Sequence, residues 1–166
     1  DLPPEQFRAW ISFINYFSHH LNLARGLLGE SYDIRDLDPG SRVMVGRSAG
    51  GVTVILEKFM TKLSRDWDET ALIAFERGTV HIEYPPPLAL NRPGRVVLYD
   101  GRDGAGQEPV KVEPVLPREH AMREQARAFL AVVRGEAPPP VDAAAALADL
   151  RTTRLVFTLG TPAHPW

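Results

Sequence analysis

The side chains best suited to chemistry lie on one predicted helix. Asn15, Ser18, His19 and Asn22 recur at intervals of three or four residues. At about 100° per residue they share one narrow polar stripe with Gly26. The remaining surface of this helix is mostly apolar, so we predict that the helix lies in the interior: Phe13, Ile14, Phe17, Leu21, Leu23, Ala24, Leu27 and Leu28. Because an unpaired buried polar group costs about 1–3 kcal/mol, the stripe must contact either other polar side chains or a ligand.

Several other kinds of site are not encoded in the sequence. His19 and His20 are adjacent, so they point about 100° apart on a helix and are poorly placed to bind one metal ion. The glycine-rich segments 46–51 and 101–106 lack the spacing of a dinucleotide-binding turn, and we predict that both are ordinary turns. The absence of cysteine excludes disulfides and thiolate chemistry. We therefore predict no metal ion and no cofactor bound by this chain.

The composition is typical of a globular protein. The 166 residues are enough for a single domain with a substantial core. A net charge of −2 gives no electrostatic argument for binding nucleic acid or an anionic membrane. There is no secretory signal and no apolar run of about 20 residues, so we expect a cytoplasmic protein that does not span a membrane. The first residues include no initiator Met, and we expect a fragment of a longer protein.

The order of predicted elements indicates an α+β fold. Prolines 3 and 4 predict a helix start, and Gly29 predicts its end, while Ser18-His19 either bends this helix or divides it. Two more helices are predicted near the end of the chain, over 119–134 and over 143–159 with Asp142 as the N-cap. The intervening strands are predicted over 33–37, 42–45, 52 to about 63, 70–76, 79–84, 95–99 and 110–115. This order favours a mainly antiparallel sheet with helices on one face.

The strands carry apolar residues on more than one face of the predicted sheet. If helices cover one face only, a second copy of the protein can cover the other. We therefore expect a homo-oligomer. The residues that carry this prediction are Val54, Leu56, Ile73, Phe75, Val80 and Ile82.

The spacing of the polar stripe resembles that of a known enzyme family. In the C-terminal domain of the glucose–fructose oxidoreductase / inositol dehydrogenase / MocA family, the first helix carries Asp, three residues, His, two residues and Asp, followed by an apolar run ending in Gly. Here the matching segment is Asn15 to Gly29. Later segments resemble the family in the same order: the Phe-x-x-Gly-Thr-Val turn at 75–80, the helix at 123–130, Val-Arg-Gly-Glu-Ala-Pro-Pro-Pro-Val at 133–141, and the alanine-rich last helix.

The resemblance implies an NAD(P)-dependent oxidoreductase that acts on a sugar, a polyol or a related hydroxy compound. An N-terminal Rossmann domain, outside this sequence, would hold NAD or NADP, while this chain, 1–166, would be the α+β domain for substrate binding and oligomerisation. His19 would take or relay the proton of the oxidised hydroxyl beside a lysine of the N-terminal domain, a task that suits an imidazole. Asn15, Asn22 and Ser18 would contact the substrate.

The sequence departs from the family pattern at two positions, because Asn15 and Asn22 stand where Asp is common. An amide can orient a hydroxyl or an imidazole, but it carries no negative charge. The departure leaves open an altered substrate or the loss of dehydrogenase activity. A stand-alone module for dimerisation or small-ligand binding, with the polar stripe as a structural seam, remains the alternative from another functional class.

Overall fold

The computed structural model describes residues 3–38, 42–58, 69–90, 92–102 and 107–159. The chain forms two compact units, the first from Asp1–Met60 with Pro140–Trp166 and the second from Thr61–Pro139. The predicted α+β class is confirmed, since helices α1 to α3 accompany strands β1 to β7. The strands, which we predicted as a mainly antiparallel sheet, form two separate antiparallel sheets.

Helix α1 spans Pro4–Leu28, as the prolines before it and Gly29 after it predict. A proline occupies the first turn, where its missing N–H costs no helical hydrogen bond. Gly29 ends the helix with a φ of 70°, a left-handed conformation that glycine adopts without steric cost, and its N–H donates to the Arg25 carbonyl at 2.9 Å. The helix is continuous through Ser18-His19, so these residues do not divide it.

The first unit packs α1 and α3 against a three-stranded sheet. Its strands are β1 (Tyr32–Leu37), β2 (Val43–Ser48) and β3 (Thr53–Glu57), in that spatial order. Strand β3 ends at Glu57, earlier than predicted, and the rest of the predicted strand from residue 59 lies outside the described residues. The core of this unit draws on the sheet and both helices: Phe13, Phe17, Leu21, Tyr32, Met44, Val54 and Val156.

The second unit contains a four-stranded sheet. Its strands are β4 (Glu69–Phe75), β5 (Gly78–Tyr84), β6 (Arg95–Asp100) and β7 (Val110–Val112), and they pair in sequence order. The predicted hairpin between β4 and β5 is confirmed, although its turn is Glu76-Arg77 and Gly78 already belongs to β5. None of the residues in these four strands is fully buried.

Helices α2 (Ala121–Val133) and α3 (Ala143–Leu159) follow the strands in the chain. Helix α2 belongs to the second unit and contains no buried residue. Helix α3 belongs to the first unit, and Asp142 caps it as predicted, because its Oδ1 accepts a hydrogen bond of 2.8 Å from the Ala145 N–H. Within the described ranges no helix combines the length and the apolar character that crossing a membrane requires.

Candidate functional site

Part of the predicted polar stripe of α1 is exposed to solvent, and the other part makes hydrogen bonds within the protein. Asn15 and His19 are exposed, one helical turn apart on the same face. The prediction that this helix lies in the interior is therefore wrong at these two positions, since the core faces only one side of α1. An exposed imidazole and an exposed carboxamide at this spacing can both hydrogen-bond to one small polar molecule.

The hydroxyl of Ser18 is engaged within the helix itself. Ser18 Oγ donates to the carbonyl oxygen of Ile14, 2.7 Å away, and the side chain is half-buried. Such a bond to the preceding turn is a common way for serine to satisfy its donor in a helix. Ser18 therefore retains only its acceptor lone pairs for any other partner.

The side chain of Asn22 contacts helix α3. Its Nδ2 donates to Oδ2 of Asp149 at 2.8 Å. Oδ1 of the same carboxylate lies 2.5 Å from Nη2 of Arg25, and Arg25 Nη1 donates to the Ala145 carbonyl at 2.9 Å. We call these three side chains, Asn22, Arg25 and Asp149, the α1–α3 polar lock.

The polar lock is shielded from solvent. The side chains of Arg25 and Asp149 are 16% and 7% exposed, so their charges interact in an environment with little screening. Tyr32 lies nearby on β1 and donates its hydroxyl to the Leu21 carbonyl at 3.1 Å. Burial raises the pKa of the Tyr32 phenol well above its ordinary value, Arg25 opposes this shift, and Asp149 adds to it.

Lys58 is a second buried basic residue, and it packs against the core face of α1. Lys58, which directly follows β3, is 7% exposed, and its Nζ lies 5.0 Å and 5.9 Å from the ring centroids of Phe13 and Phe17. The ammonium group can interact favourably with both ring faces. Burial lowers the pKa of Lys58 to about 8.

The neighbouring histidine, His20, makes separate contacts of its own. His20 stacks on Phe17, with ring centroids 6.0 Å apart, and its Nδ1 lies 3.0 Å from the Tyr16 carbonyl oxygen. His81 lies on β5, 3.9 Å from Glu83, and His164 lies outside the described residues. Across the part of the chain that the structure describes, no three side chains of His, Asp or Glu converge as metal ligands would.

The glycine turn at 50–51 joins two antiparallel strands. Gly51 has a φ of 85°, and its N–H donates to the Ser48 carbonyl at 3.0 Å, which closes the turn between β2 and β3. A dinucleotide fingerprint requires instead a strand that leads into a helix N-terminus. The prediction of a turn is confirmed for residues 49–51 but not for residues 46–48, which belong to β2, and this arrangement does not fit a nicotinamide cofactor. Residues 103–106 of the other glycine-rich segment lie outside the described residues.

An open depression of about 510 Å³ lies in the second unit. It lies around Gly78, which has no side chain and pairs with Phe75 on one neighbouring strand and with Asp100 on the other. None of the predicted site residues lines it, and its lining residues are Phe75, Glu76, Arg77, Gly78, Leu98, Tyr99 and Asp100.

Sequence reasoning missed Asp149, Arg25 and Lys58. Asp149 lies in an alanine-rich helix, where a buried carboxylate is unusual unless it is paired. The spacing of Asp149, Thr153 and Val156 puts them on one face of the helix, and this was the sequence signal that Asp149 could be buried. In the structure these three are the buried residues of α3. The contact of Asp149 with α1 spans 127 positions of the chain, which local periodicity does not encode.

Comparison with known proteins gives no assignment. No protein-family model matches the chain, and no curated protein matches its sequence significantly.

Proposed function

We propose that this chain is the substrate-binding and oligomerisation part of a cytoplasmic NAD(P)-dependent oxidoreductase acting on a sugar, a polyol or a related hydroxy compound. The observation that carries the proposal is the Asn15–His19 pair, which is exposed on α1 at the spacing of the resembled motif. The order of the later motifs, from the hairpin at Phe75 to the last helix, supports the same assignment.

In this proposal the chain's own residues recognise a hydroxyl group. The imidazole of His19 accepts the proton that the hydroxyl loses on oxidation, and the Asn15 amide hydrogen-bonds the same or a neighbouring oxygen. Because Asn15 is uncharged, it orients the imidazole or the substrate without adding a negative charge. The nicotinamide would accept the hydride from the carbon, and a separate domain would hold it, since the described glycine turn does not fit a dinucleotide.

The sheet of the second unit would provide the oligomer interface. Residues directly opposite one another in an antiparallel sheet share a face. The register therefore collects Ile73, Val80, Leu98 and Val112 on one face of β4–β7, with Phe75, Ile82 and Val96 on the same side. Phe75 is 62% exposed and Leu98 is 39% exposed, so this apolar face offers area to a second copy.

A stand-alone dimerisation or ligand-binding module is the second candidate. The contact of Asn22 with Asp149 favours it, because a side chain assigned to the substrate is here engaged in packing two helices. The two candidates differ in whether His19 takes part in turnover.

The deciding experiment measures turnover by the complete gene product with NAD⁺ or NADP⁺ and a panel of polyols and sugars. We expect His19→Ala to lower kcat by about 100-fold or more, since positioned acid–base groups contribute that much. His20→Ala is the matched control, because His20 packs on Phe17 and is not one of the polar positions of the motif. Absence of turnover with the whole panel, or equal rates in the His19→Ala variant, would contradict the proposal.

A further inference from the structure

Helices α1 and α3 contact each other at two distinct places. Near the end of α1, Asn22 and Arg25 contact Asp149 and Ala145 in the first half of α3. Near the start of α1, the Trp10 ring packs edge-on against Phe157, with centroids 5.1 Å apart. The two helices are therefore antiparallel, with an aromatic contact at one end and the polar lock at the other.

The contacts of the polar lock depend on the relative orientation of the two helices more strongly than the aromatic contact does. One carboxylate accepts from an amide through Oδ2 at 2.8 Å and faces a guanidinium through Oδ1 at 2.5 Å. Both partners lie on one face of α1, three residues apart, so the pair restrains the rotation of α1 about its axis in addition to its core residues. The Asn22 contact is a hydrogen bond to a charged acceptor, a kind of bond that is short and geometrically specific, and the Arg25 contact is an ion pair.

We infer that Asp149 is a positioning residue that fixes the rotation of α1 and thereby the direction in which Asn15 and His19 point. The inference rests on the proposed function for the roles of Asn15 and His19 in binding and catalysis. The orientation of α1 by Asp149 does not depend on it. His19 is separated from Asn22 by less than one helical turn, so a rotation of α1 moves its imidazole together with the amide of Asn22.

The identity of residue 22 follows from the same geometry. A carboxylate at position 22 would lie at hydrogen-bond distance from the carboxylate of Asp149, and two like charges so close repel in this partly buried place. An amide instead supplies the donor that Oδ2 requires. The contact with Asp149 thus explains why residue 22 is Asn. The difference from the Asp of the resembled motif at this position therefore removes no charged group from the exposed site of Asn15 and His19.

The test uses NMR on this chain, with the His19 imidazole resonances and the thermal midpoint as two separate readouts. Asp149→Asn and Asp149→Glu should both displace the His19 resonances. The first removes the charge, and the second keeps the charge but adds a methylene group that the 2.8 Å and 2.5 Å contacts do not accommodate. A displacement in Asp149→Asn alone would indicate a purely electrostatic effect and would overturn the inference.

The exchange variant Asn22→Asp with Asp149→Asn supplies the rescue. It reverses the donor and the acceptor, keeps one carboxylate beside Arg25, and should return both readouts towards those of the unmodified chain. Thr153→Val is the matched control, because Thr153 is fully buried on α3 and its hydroxyl donates to the Asp149 backbone carbonyl at 2.8 Å. It should lower the thermal midpoint without moving the His19 resonances.

Two further results would also overturn the inference: unchanged His19 resonances in both Asp149 variants, or an exchange variant no closer to the unmodified chain than Asn22→Asp alone. Neither readout depends on dehydrogenase activity. A failure of the proposed function, seen as unaffected turnover in His19→Ala, is therefore distinguishable from a failure of the positioning role.

Discussion

A Cβ atom added to Gly78 would lie 2.1 Å from the carbonyl oxygen of Tyr99, a separation that real side chains do not adopt. Gly78 is thus required by the close approach of β6 to β5, and it sits in a strand of the sheet. Gly78, Tyr99 and Asp100 also line the open depression of the second unit.

The first prediction concerns this contact. Gly78→Ala should destabilise the β5–β6 pair by about 1–3 kcal/mol, because the backbone of β6 must move to make room. Amide hydrogen exchange in β5 and β6 measures the effect as lost protection. The control is Gly26→Ala in α1, where an added Cβ meets nothing within 4 Å. That change should stabilise the helix by up to about 1 kcal/mol, and tolerance of alanine at position 78 would contradict the prediction.

The second prediction concerns the pH dependence that Lys58 confers. Burial lowers the pKa of Lys58 from 10.5 to about 8, so between these values the unfolded chain binds more protons than the folded one. Stability should therefore rise as the pH increases from about 8 towards 9.5, by about 1–2 kcal/mol from this residue. Tyr32, whose pKa burial raises, acts in the opposite sense only above about pH 10.

Urea unfolding at several pH values checks this rise. Lys58→Met keeps most of the apolar stem and removes the charge, and we expect it to flatten the dependence between pH 8 and 9.5. Lys111→Met is the matched control, because the side chain of Lys111 is 60% exposed. An equally steep rise in Lys58→Met would assign the dependence to other groups.

The third prediction concerns self-association through the second sheet. Sedimentation velocity should detect an oligomer of this chain that Leu98→Lys weakens, since a charge on the proposed apolar interface is costly to bury. Leu72→Lys is the control, because Leu72 is 70% exposed and pairs with His81 on the opposite face of the sheet. A monomer at all concentrations, or equal weakening by both variants, would exclude this face as the interface.

The fourth prediction concerns the cofactor. Isothermal titration of this chain with NAD⁺, NADH, NADP⁺ and NADPH should give no binding in the micromolar range, because the glycine turn at 50–51 connects two strands of a hairpin. Micromolar binding of any of the four would contradict the assignment of the cofactor to a separate domain.

Local signals in the sequence predicted most of the element boundaries. Glycine and proline act on the backbone at their own positions, so the end of α1 at Gly29 and the end of β5 before Pro85 could be recognised directly. The hairpin between β4 and β5 and the cap at Asp142 follow from the same local rules, whereas the sequence left open whether Ser18-His19 divides α1.

The site was less predictable because its decisive contacts are long-range. The amide of Asn22 resembles the amide of Asn15 in sequence, yet one contacts Asp149 and the other is exposed. A helical projection places both on one stripe but contains no information on where α3 packs. Lys58 was missed for a similar reason, since its aromatic neighbours belong to α1, far from β3 in the chain.

The first unit is assembled from two separated stretches of chain, with the second unit inserted between them. During synthesis on the ribosome, α1 and β1–β3 emerge well before Val156, which is fully buried in their shared core. This core stays incomplete until translation has reached α3, whereas the inserted sheet has all of its strands much earlier. Nascent chains arrested ahead of α3 should therefore expose the Phe13–Phe17 surface to chaperones.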